Sequence, residues 1–255
     1  MAPTIIVTGA SRGLGAAIAT EAAALGARVV LSARSVARLE AQARDIRQNG
    51  GAALVAPGDV SRLEDCQAIV YRTAERFGAI DALVNNAGMI EPLAPLAETP
   101  PSAWRHHLDV NVLGPMMLTQ AALPYLRQRQ GRVIHVSSGA AEYGRAGWAA
   151  YCIGKGALNQ FNRVLAEEEP ALTTIAVRPG VVDTDMQATI REEGAAGMTK
   201  ADHERFIRFQ EKDQLLDPTI PGRVLAYLAL RAPAEWSGEF LSWDDEKVQA
   251  LTEEG

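Results

Sequence analysis

The hydrophobic positions along the chain follow two alternating patterns. Short runs of β-branched and aliphatic residues are separated by longer stretches in which apolar residues recur every three or four positions. The short runs predict strands at Thr4–Thr8, Arg28–Leu31, Ala53–Val55, Ala82–Val84, Val133–Val136 and Thr174–Val177. The longer stretches predict helices at Leu14–Leu25, Leu39–Gln48, Cys66–Phe77, Trp104–Leu126 and Trp148–Glu167. Strands that alternate with helices are typical of βαβ units, whose right-handed crossovers produce a parallel sheet covered on both faces.

The chain shows no linker and no internal repeat that would divide its 255 residues. A chain of this size buries about three quarters of its extended surface and needs neither disulfide nor metal to be stable. Prolines at positions 92, 95, 100 and 101 predict a loop before a long helix that begins at Ser102. We therefore predict one doubly wound α/β domain over residues 1–255.

The segment 183–217 interrupts the alternation of strands and helices. It carries many charged residues, Gly194 and Gly197, and few apolar positions. A polar insert of this length after a strand is often a lid over a site. We predict a substrate loop or lid here, with a mobile surface excursion as the alternative.

Composition and charge narrow the function classes. Hydrophobic residues make up 47% and charged residues 22%, which is typical of a globular domain, and the net charge of −6 predicts no affinity for nucleic acid or anionic membrane. No apolar run is long enough to span a membrane, and Ile5–Val7 is too short for a signal peptide. Cys66 and Cys152 form no disulfide or metal pattern and are interpreted as free thiols in a reducing compartment. We expect a cytoplasmic protein without a metal, nucleic-acid or membrane partner.

Three glycines follow the first predicted strand, at Gly9, Gly13 and Gly15. They lie where this strand turns into the first helix. Small residues at such a turn allow a pyrophosphate to approach the backbone at the positive end of the helix dipole. The alternative is a tight turn that binds no ligand.

The spacing of these glycines resembles the TGxxxGxG motif of the short-chain dehydrogenase/reductase family. Further matches extend over nearly the whole chain: Asn85-Asn86-Ala87-Gly88 after the fourth strand, Ser138 thirteen residues before Tyr151, Lys155 four residues after it, and Pro179-Gly180 followed by Thr184. The resemblance implies an oxidoreductase with a nicotinamide cofactor. It also implies a single-domain Rossmann fold with a parallel seven-stranded sheet and helices on both faces, one strand more than the apolar runs predict.

The residues after the second strand favour NADP(H) over NAD. Folds that bind NAD place an acid about twenty residues beyond the glycines, whereas an arginine there accommodates a 2′-phosphate. Here Arg34 takes that position, and no acidic residue lies between Leu31 and Glu40. Arg12 offers a second cation, and Ser11 and Ser35 offer hydroxyl donors. The alternative is that Arg34 only begins a solvated helix.

The resemblance assigns further cofactor contacts to the ends of the predicted strands. Asp59 and Val60 match the family's adenine contact, although Asp59 alone is as plausible as an N-cap of the next helix. The Val182 backbone and the Thr184 hydroxyl match contacts to the nicotinamide carboxamide, although Pro179-Gly180 alone is typical of a turn. The full predicted cofactor set is Gly9, Ser11, Arg12, Gly13, Leu14, Gly15, Arg34, Ser35, Asp59, Val60, Asn86, Ala87, Gly88, Tyr151, Lys155, Pro179, Gly180, Val182, Thr184 and Met186.

Tyr151 and Lys155 form the only Tyr-x-x-x-Lys pair in the sequence, and this spacing places both on one helix face. The reference pKa of tyrosine is about 10, so a working pKa near 7 requires roughly 4 kcal/mol of phenolate stabilisation. A lysine ammonium one turn away, together with the charge of an oxidised nicotinamide, can supply it. Tyr151 is therefore the predicted proton donor to a carbonyl oxygen.

The resemblance adds three roles around this pair. It implies that Lys155 also holds the nicotinamide ribose, that Ser138 binds the substrate oxygen, and that Asn111 holds a water linking the lysine to solvent. Ser137 is the adjacent competitor, and the spacing to Tyr151 favours Ser138. The alternative for the whole set is a nucleotide-binding regulator without turnover.

Several segments resemble more narrowly the benzil reductases that form (S)-benzoin, in the sepiapterin-reductase-like branch. These segments are 182–187, 190–192, 213–217 and 238–242. The implied function is an NADPH-dependent carbonyl reductase that acts on aromatic ketones or diketones. The alternative is an NADP-linked alcohol or pteridine oxidoreductase.

Aromatic and long apolar residues supply the candidate substrate pocket. We predict substrate contacts at Ser138, Tyr143, Trp148 and Tyr151, with Met186 and Phe206 as further wall candidates; core packing is an equal alternative for the apolar ones. His106 and His107 are interpreted as solvated or packed residues. The family commonly forms oligomers, so we expect a homodimer or homotetramer that associates through the helices at Trp104–Leu126 and Trp148–Glu167.

Overall fold

A parallel sheet forms the centre of the fold in the computed structural model, which describes residues 2–253. Its seven strands lie in the order β3-β2-β1-β4-β5-β6-β7, and every pair of neighbours is parallel. The strands are β1 Thr4–Thr8, β2 Arg28–Ser32, β3 Ala52–Val55, β4 Ala82–Asn85, β5 Arg132–Val136, β6 Thr173–Arg178 and β7 Phe240–Ser242. The predicted fold class is confirmed, since the chain builds one half of the sheet outward from β1 to β3 and then crosses back to form the other half from β4 onward.

Helices cover both faces of the sheet. They are α1 Gly13–Ala24, α2 Val36–Gln48, α3 Leu63–Phe77, α4 Pro101–Leu108, α5 Gly114–Arg129, α6 Ala149–Glu168, α7 Asp185–Glu193, α8 Lys200–Glu211, α9 Thr219–Arg231 and α10 Glu246–Glu253. Because successive strand side chains point to opposite faces, Ile5 and Val7 pack with α1, α2 and α9, whereas Ile6 packs with α3 and α5. Two apolar cores result, one on each face.

The predicted strands agree with the structure to within one residue at each end. The apolar runs did not mark β7, which is three residues long and lies at the sheet edge. The largest difference concerns the predicted helix Trp104–Leu126. It is divided into α4 and α5 by a π-helical turn at Asp109–Leu113, a feature that hydrophobic periodicity does not register.

The segment 183–217 folds into α7 and α8, and a bridge between Val182 and Leu216 closes its base. Its apolar residues Ile190, Met198 and Phe206 join Trp148 and Tyr151 of the main domain in a third apolar cluster. The segment therefore packs against the rest of the domain through these residues, and its role as a lid stays a prediction.

Two further sequence-based expectations can be compared with residues 2–253. In this range no helix combines the length and the apolar character that a membrane crossing requires. Cys66 is buried on α3 and Cys152 is partly buried on α6, and both are free thiols.

Candidate active site

A cleft of about 1110 Å³ lies at the carboxyl ends of the strands, where the sheet order reverses between β1 and β4. The glycine loop and the start of α2 border one end, which we call the cofactor end. Tyr151, Trp148 and the segment 183–217 border the other, which we call the substrate end. Every residue of the predicted cofactor and substrate sets lines this cleft, whereas Asn111 is buried behind it.

The glycine loop joins the ends of β1 and β4 through close backbone contacts. A Cβ atom on Gly15 would lie 2.4 Å from both the Gly9 carbonyl oxygen and Asn86 Nδ2. Gly9 itself has a φ of +66°. No side chain caps the first turn of α1. The free amides and the positive end of the helix dipole together fit the pyrophosphate of a dinucleotide.

Asn86 is held in place by Thr8 at the end of β1. Its backbone N–H and that of Ala87 both donate to Thr8 Oγ1 at 3.0 Å, and Asn86 Nδ2 donates to the Thr8 carbonyl at 2.8 Å. The side chain of Asn86 therefore fixes the shape of the cofactor end.

The start of α2 provides the cations of the cofactor end. Arg34 is exposed at the rim, and Arg38, one turn further along α2, lines the same cleft. Arg38 was not among the predicted residues, although its spacing of four from Arg34 is a visible signal. Arg12 forms an exposed ion pair with Asp185 of α7. These arginine side chains fit a 2′-phosphate. Arg12 belongs to the glycine loop and also pairs with Asp185 of α7.

Asp59 does not cap the next helix, so that alternative is wrong. Its carboxylate accepts hydrogen bonds from the backbone N–H and the hydroxyl of Ser61, at 3.0 and 2.7 Å, while Arg62 occupies the N-cap of α3. Burial acts to raise the pKa of Asp59, but these hydrogen bonds and the charge of Arg34 outweigh it and lower the pKa. Asp59 remains an anion at the cofactor end of the cleft.

Tyr151 and Lys155 lie on one face of α6, with the Lys155 Nζ 5.6 Å from the tyrosine ring centre. Lys155 Nζ donates to the Val136 carbonyl at 2.7 Å, and burial lowers the pKa of Lys155 to about 8. Burial raises the pKa of Tyr151 to about 12, against the opposing effect of a hydrogen bond with Ser138. Burial of Tyr151 outweighs the hydrogen bond with Ser138, so the chain's own residues do not lower this pKa. The predicted fall toward 7 also invokes the charge of an oxidised nicotinamide and stays a prediction. The Tyr151 hydroxyl keeps its proton at neutral pH.

The two adjacent serines have different roles. Ser137 Oγ is buried and donates to Asn159 Oδ1 at 2.6 Å, which ties β5 to α6. Ser138 Oγ accepts a weaker hydrogen bond from the Ala140 N–H at 3.2 Å and borders the cleft. The structure brings Ser138, not Ser137, beside Tyr151, as the spacing predicted.

Asn111 lies in the π-helical turn, buried to 1% exposure. Its amide pairs with the backbone of Met89, donating to the carbonyl at 2.8 Å and accepting from the N–H at 2.9 Å. His107 Nε2 lies 2.6 Å from Asn111 Nδ2, and its Nδ1 lies 2.6 Å from the Glu91 carbonyl. Since a carbonyl only accepts, Nδ1 carries the proton and Nε2 accepts from Asn111.

His107 is thus a site residue that sequence reasoning interpreted only as solvated or packed. It is fully buried, and burial lowers its pKa, so it is neutral at pH 7. Its spacing of four from Asn111 was the available signal. His106, by contrast, is exposed at the cleft.

Aromatic rings form a wall at the substrate end. Trp148 packs edge to face on Tyr151 with ring centres 5.6 Å apart, and Phe206 of α8 packs on Trp148 at 5.3 Å. Tyr143 lines the same end but is 54% exposed. Arg145, which sequence reasoning missed, lies with its Cζ 5.1 Å from the Trp148 ring centre. The structure therefore assembles an apolar wall with one cation beside the proposed proton donor.

The turn after β6 connects the two ends of the cleft. A Cβ on Gly180 would lie 2.5 Å from the Leu216 side chain, and its φ is +82°. Thr184 Oγ1 donates to the Val182 carbonyl at 3.3 Å, and the Thr184 side chain lies against Gly13. This contact joins the segment 183–217 to the glycine loop.

Comparison with known proteins gives consistent matches over most of the chain. The family model for short chain dehydrogenases matches residues 3–195. An uncharacterised oxidoreductase of Saccharomyces cerevisiae is 37% identical over 248 residues, covering 96% of this chain and 97% of that protein. A benzil reductase of the same yeast, which forms (S)-benzoin, is 35% identical over an alignment of 263 residues, covering 97% of this chain and 98% of the reductase.

Solved structures are similar over the same range. The crystal structure of the first yeast protein, a short-chain dehydrogenase/reductase, superposes with a TM-score of 0.92 at 36% identity, covering 98% of this chain and 99% of that one. An alcohol dehydrogenase of the archaeon Thermococcus sibiricus, solved with 5-hydroxy-NADP, superposes with a TM-score of 0.80 at 28% identity, covering 95% and 96%.

Proposed function

Because this chain belongs to the short-chain dehydrogenase family, an oxidoreductase family, we propose that it is an NADPH-dependent carbonyl reductase. Its substrates are aromatic ketones or 1,2-diketones such as benzil. The observation that carries the proposal is the gathering of Ser138, Tyr151 and Lys155 at one end of a cleft whose other end is the glycine loop. Residues 1–255 would act as one NADP(H)-binding domain with residues 183–217 as its lid.

The cofactor end supports NADP(H) through its charges. Arg34, Ser35 and Arg38 line the cleft where a 2′-phosphate would lie, and no acid stands at the position that NAD-binding folds reserve for one. The pyrophosphate would be held by the backbone of the glycine loop at the start of α1. A structural relative solved with 5-hydroxy-NADP agrees with this preference. When bound, the reduced nicotinamide supplies the hydride.

The chain's own residues would deliver the proton. The Tyr151 hydroxyl, whose raised pKa of about 12 keeps it protonated, donates to the carbonyl oxygen as negative charge develops there. The Ser138 hydroxyl hydrogen-bonds the same oxygen and holds it in line. Lys155, buried behind Tyr151, places a positive charge near the phenolate that forms and binds the ribose hydroxyls. Asn111 and His107 hold the backbone at Met89 and Glu91 and thereby shape the wall opposite Lys155.

The substrate end supports an aromatic substrate. Trp148 and Phe206 form a buried apolar wall, and Met186 borders the same space. A flat aryl group packs well against such rings. The benzil reductase among the relatives is a further argument for diketones. The alcohol dehydrogenase among the structural relatives supports the alternative, in which the enzyme oxidises an alcohol.

The outer faces of α5 and α6 support association of two or more copies. Met116, Ile153 and Val164 are apolar and exposed there. We propose a homodimer or homotetramer formed through these helices, as expected from the sequence. The cytoplasmic location remains a prediction.

The test is consumption of NADPH with a panel of benzil, isatin, menadione and sepiapterin, followed by its absorbance. We expect turnover of benzil and a loss of about 10²- to 10⁴-fold in kcat for Tyr151→Phe, with the Kd for NADPH unchanged. Tyr71→Phe, on an exposed tyrosine of α3, is the matched control and should leave kcat unchanged. Turnover of none of these carbonyls, or equal rates for Tyr151→Phe and the wild type, would contradict the proposal.

A further inference from the structure

Arg145 has no role in the function proposed above, yet it is placed at the substrate end of the cleft. Its side chain is only 10% exposed and forms an ion pair with Asp202 of α8. The guanidinium lies against two aromatic rings, with its Cζ 5.1 Å from the centre of Trp148 and 5.4 Å from that of Phe206. A buried arginine six residues before the proton donor is a strong local charge.

Two hydrogen-bond donors in this group lack partners among residues 2–253. Arg145 Nε and Trp148 Nε1 are both buried, and neither has an acceptor within reach in this part of the chain. Buried N–H groups are nearly always paired, because an unpaired one loses its hydration without compensation. Both side chains line the cleft, so the missing acceptor fits an oxygen of a ligand.

We propose that Arg145 is a specificity-determining residue that binds a second oxygen of the substrate, together with the Trp148 N–H. The site would then prefer carbonyl compounds with a second acceptor oxygen on the adjacent carbon over ketones that have a single oxygen. This inference rests on the proposed carbonyl reductase function and deepens it.

The position of Trp148 supports adjacent oxygens rather than distant ones. Its ring packs directly on Tyr151, with ring centres 5.6 Å apart, so an oxygen bound at its N–H and the oxygen that Tyr151 protonates lie at the same end of the cleft. A guanidinium is suited to this task because it binds an oxygen through a fixed fork of donors and carries a charge that strengthens the bond. Asp202 occupies Nη1 and leaves the Nε edge for the ligand.

The same geometry requires a small movement of α8. Phe206 contacts both Arg145 and Trp148, and the two unpaired atoms are buried. A substrate oxygen reaches them when the Phe206 ring shifts and the substrate takes its place against Trp148. The competing explanation is that Arg145 only fastens α8 through Asp202.

The experiment compares benzil with deoxybenzoin, which has the same skeleton but one carbonyl oxygen replaced by two hydrogens. The quantity measured is the ratio of kcat/KM for benzil to kcat/KM for deoxybenzoin, since intrinsic reactivity cancels when variants are compared. For Arg145→Met we expect the ratio to fall on the order of tenfold to a hundredfold relative to the wild type. For Trp148→Phe, which removes the indole N–H and also reduces the size of the ring, a smaller fall is expected. Arg145→Gln serves as a second variant if the methionine substitution does not fold.

Asp202→Asn separates the two explanations. If Arg145→Met and Asp202→Asn each slow both substrates by the same factor, with the ratio unchanged, Arg145 only fastens α8 and the inference is wrong. A wild-type enzyme that reduces neither compound would instead overturn the proposed function itself. A fall of the ratio in Arg145→Met but not in Asp202→Asn supports the binding of a second oxygen.

Discussion

The two ends of the cleft differ in the size of the groups that form them. The cofactor end is made of backbone and short side chains, in which Gly9, Gly15, Thr8 and Asn86 leave no room for an added methyl group. The substrate end is made of large side chains on α6, α7, α8 and the turn before α6, held by ring packing and a partly buried ion pair between Arg145 and Asp202. The close backbone contacts at the cofactor end tolerate few residue types. At the substrate end, side chains can be substituted without a shift of the sheet. Binding of the cofactor and choice of substrate can therefore vary independently.

The largest expected effect comes from filling the cofactor end. In Gly15→Val the new side chain would overlap the Gly9 carbonyl and Asn86, so we expect the free energy of unfolding to fall by about 3 kcal/mol and NADPH binding to be lost. Chemical denaturation and cofactor titration measure both. Gly144→Ala, at a glycine near the substrate end with nothing within 4 Å, is the matched control and should change stability by less than about 0.5 kcal/mol. Equal changes in the free energy of unfolding for Gly15→Val and Gly144→Ala would show that the two ends of the cleft tolerate added side chains equally well.

Lys155 lies where the two ends meet, and its burial is expected to destabilise the fold in a pH-dependent way. Its pKa is about 8 in the folded chain against 10.5 in the reference state, so the folded state carries the full penalty below pH 8. Lys155→Met should therefore raise the free energy of unfolding at pH 7 by about 3 kcal/mol, less the lost hydrogen bond to Val136.

The advantage of Lys155→Met should shrink as the pH rises from about 8 to about 10.5, because the folded wild type then releases the proton that the unfolded chain still binds. Urea denaturation of both proteins across this pH range measures the difference, and other titrating groups cancel in the comparison. A constant difference would mean that Lys155 is not desolvated in the fold.

A charge reversal at the rim of the cofactor end should change cofactor choice and nothing else. For Arg34→Asp we expect the preference for NADPH over NADH, measured as a ratio of kcat/KM values, to fall by about 10- to 100-fold, since the 2′-phosphate loses a charge-assisted bond and meets a carboxylate. Arg163→Asp, on an exposed arginine of α6 away from the cleft, controls for the change in net charge. An unchanged preference would remove Arg34 from the cofactor site.

The smallest effect is expected at the substrate end. Phe206→Leu keeps the wall apolar but removes the stacking on Trp148, so kcat/KM for benzil should change by about 3- to 10-fold. The Kd for NADPH should stay the same, because Phe206 belongs to the other end. A parallel change in NADPH affinity would show that the ends are coupled through α7 and Thr184.

The sequence predicted the fold and the cofactor end well because their signals are local. A strand, a turn and a helix lie within residues 4–24, so the glycines and their place between the first strand and the first helix identified the loop. Tyr151 and Lys155 were found for the same reason, since four residues on one helix define their separation. The choice of Ser138 over Ser137 needed only a spacing.

The remainder depended on contacts between segments distant in the chain. Arg145 is placed by Asp202 and Phe206, more than fifty residues away, and His107 by the Glu91 carbonyl, sixteen residues away. The pKa of Tyr151 in the chain itself depends on burial, which the sequence does not state, and its lowering with a bound nicotinamide stays a prediction. The short strand β7 gave no signal because three residues are too few to show a period.

The π-helical turn at Asp109–Leu113 has a consequence for insertions and deletions. Such a turn holds one residue more than an α-helical turn, and each residue advances a helix by about 100°. Deletion of Val110 would allow α4 and α5 to join as one continuous α-helix, and Asn111 would then follow His107 by three positions instead of four, a change of about 100° around the helix. The joined helix would be the more regular one, yet the Asn111 amide would turn away from Met89 and His107. A single extra residue thus sets the direction of the Asn111 amide, and its contacts with Met89 and His107 last only while that residue is kept.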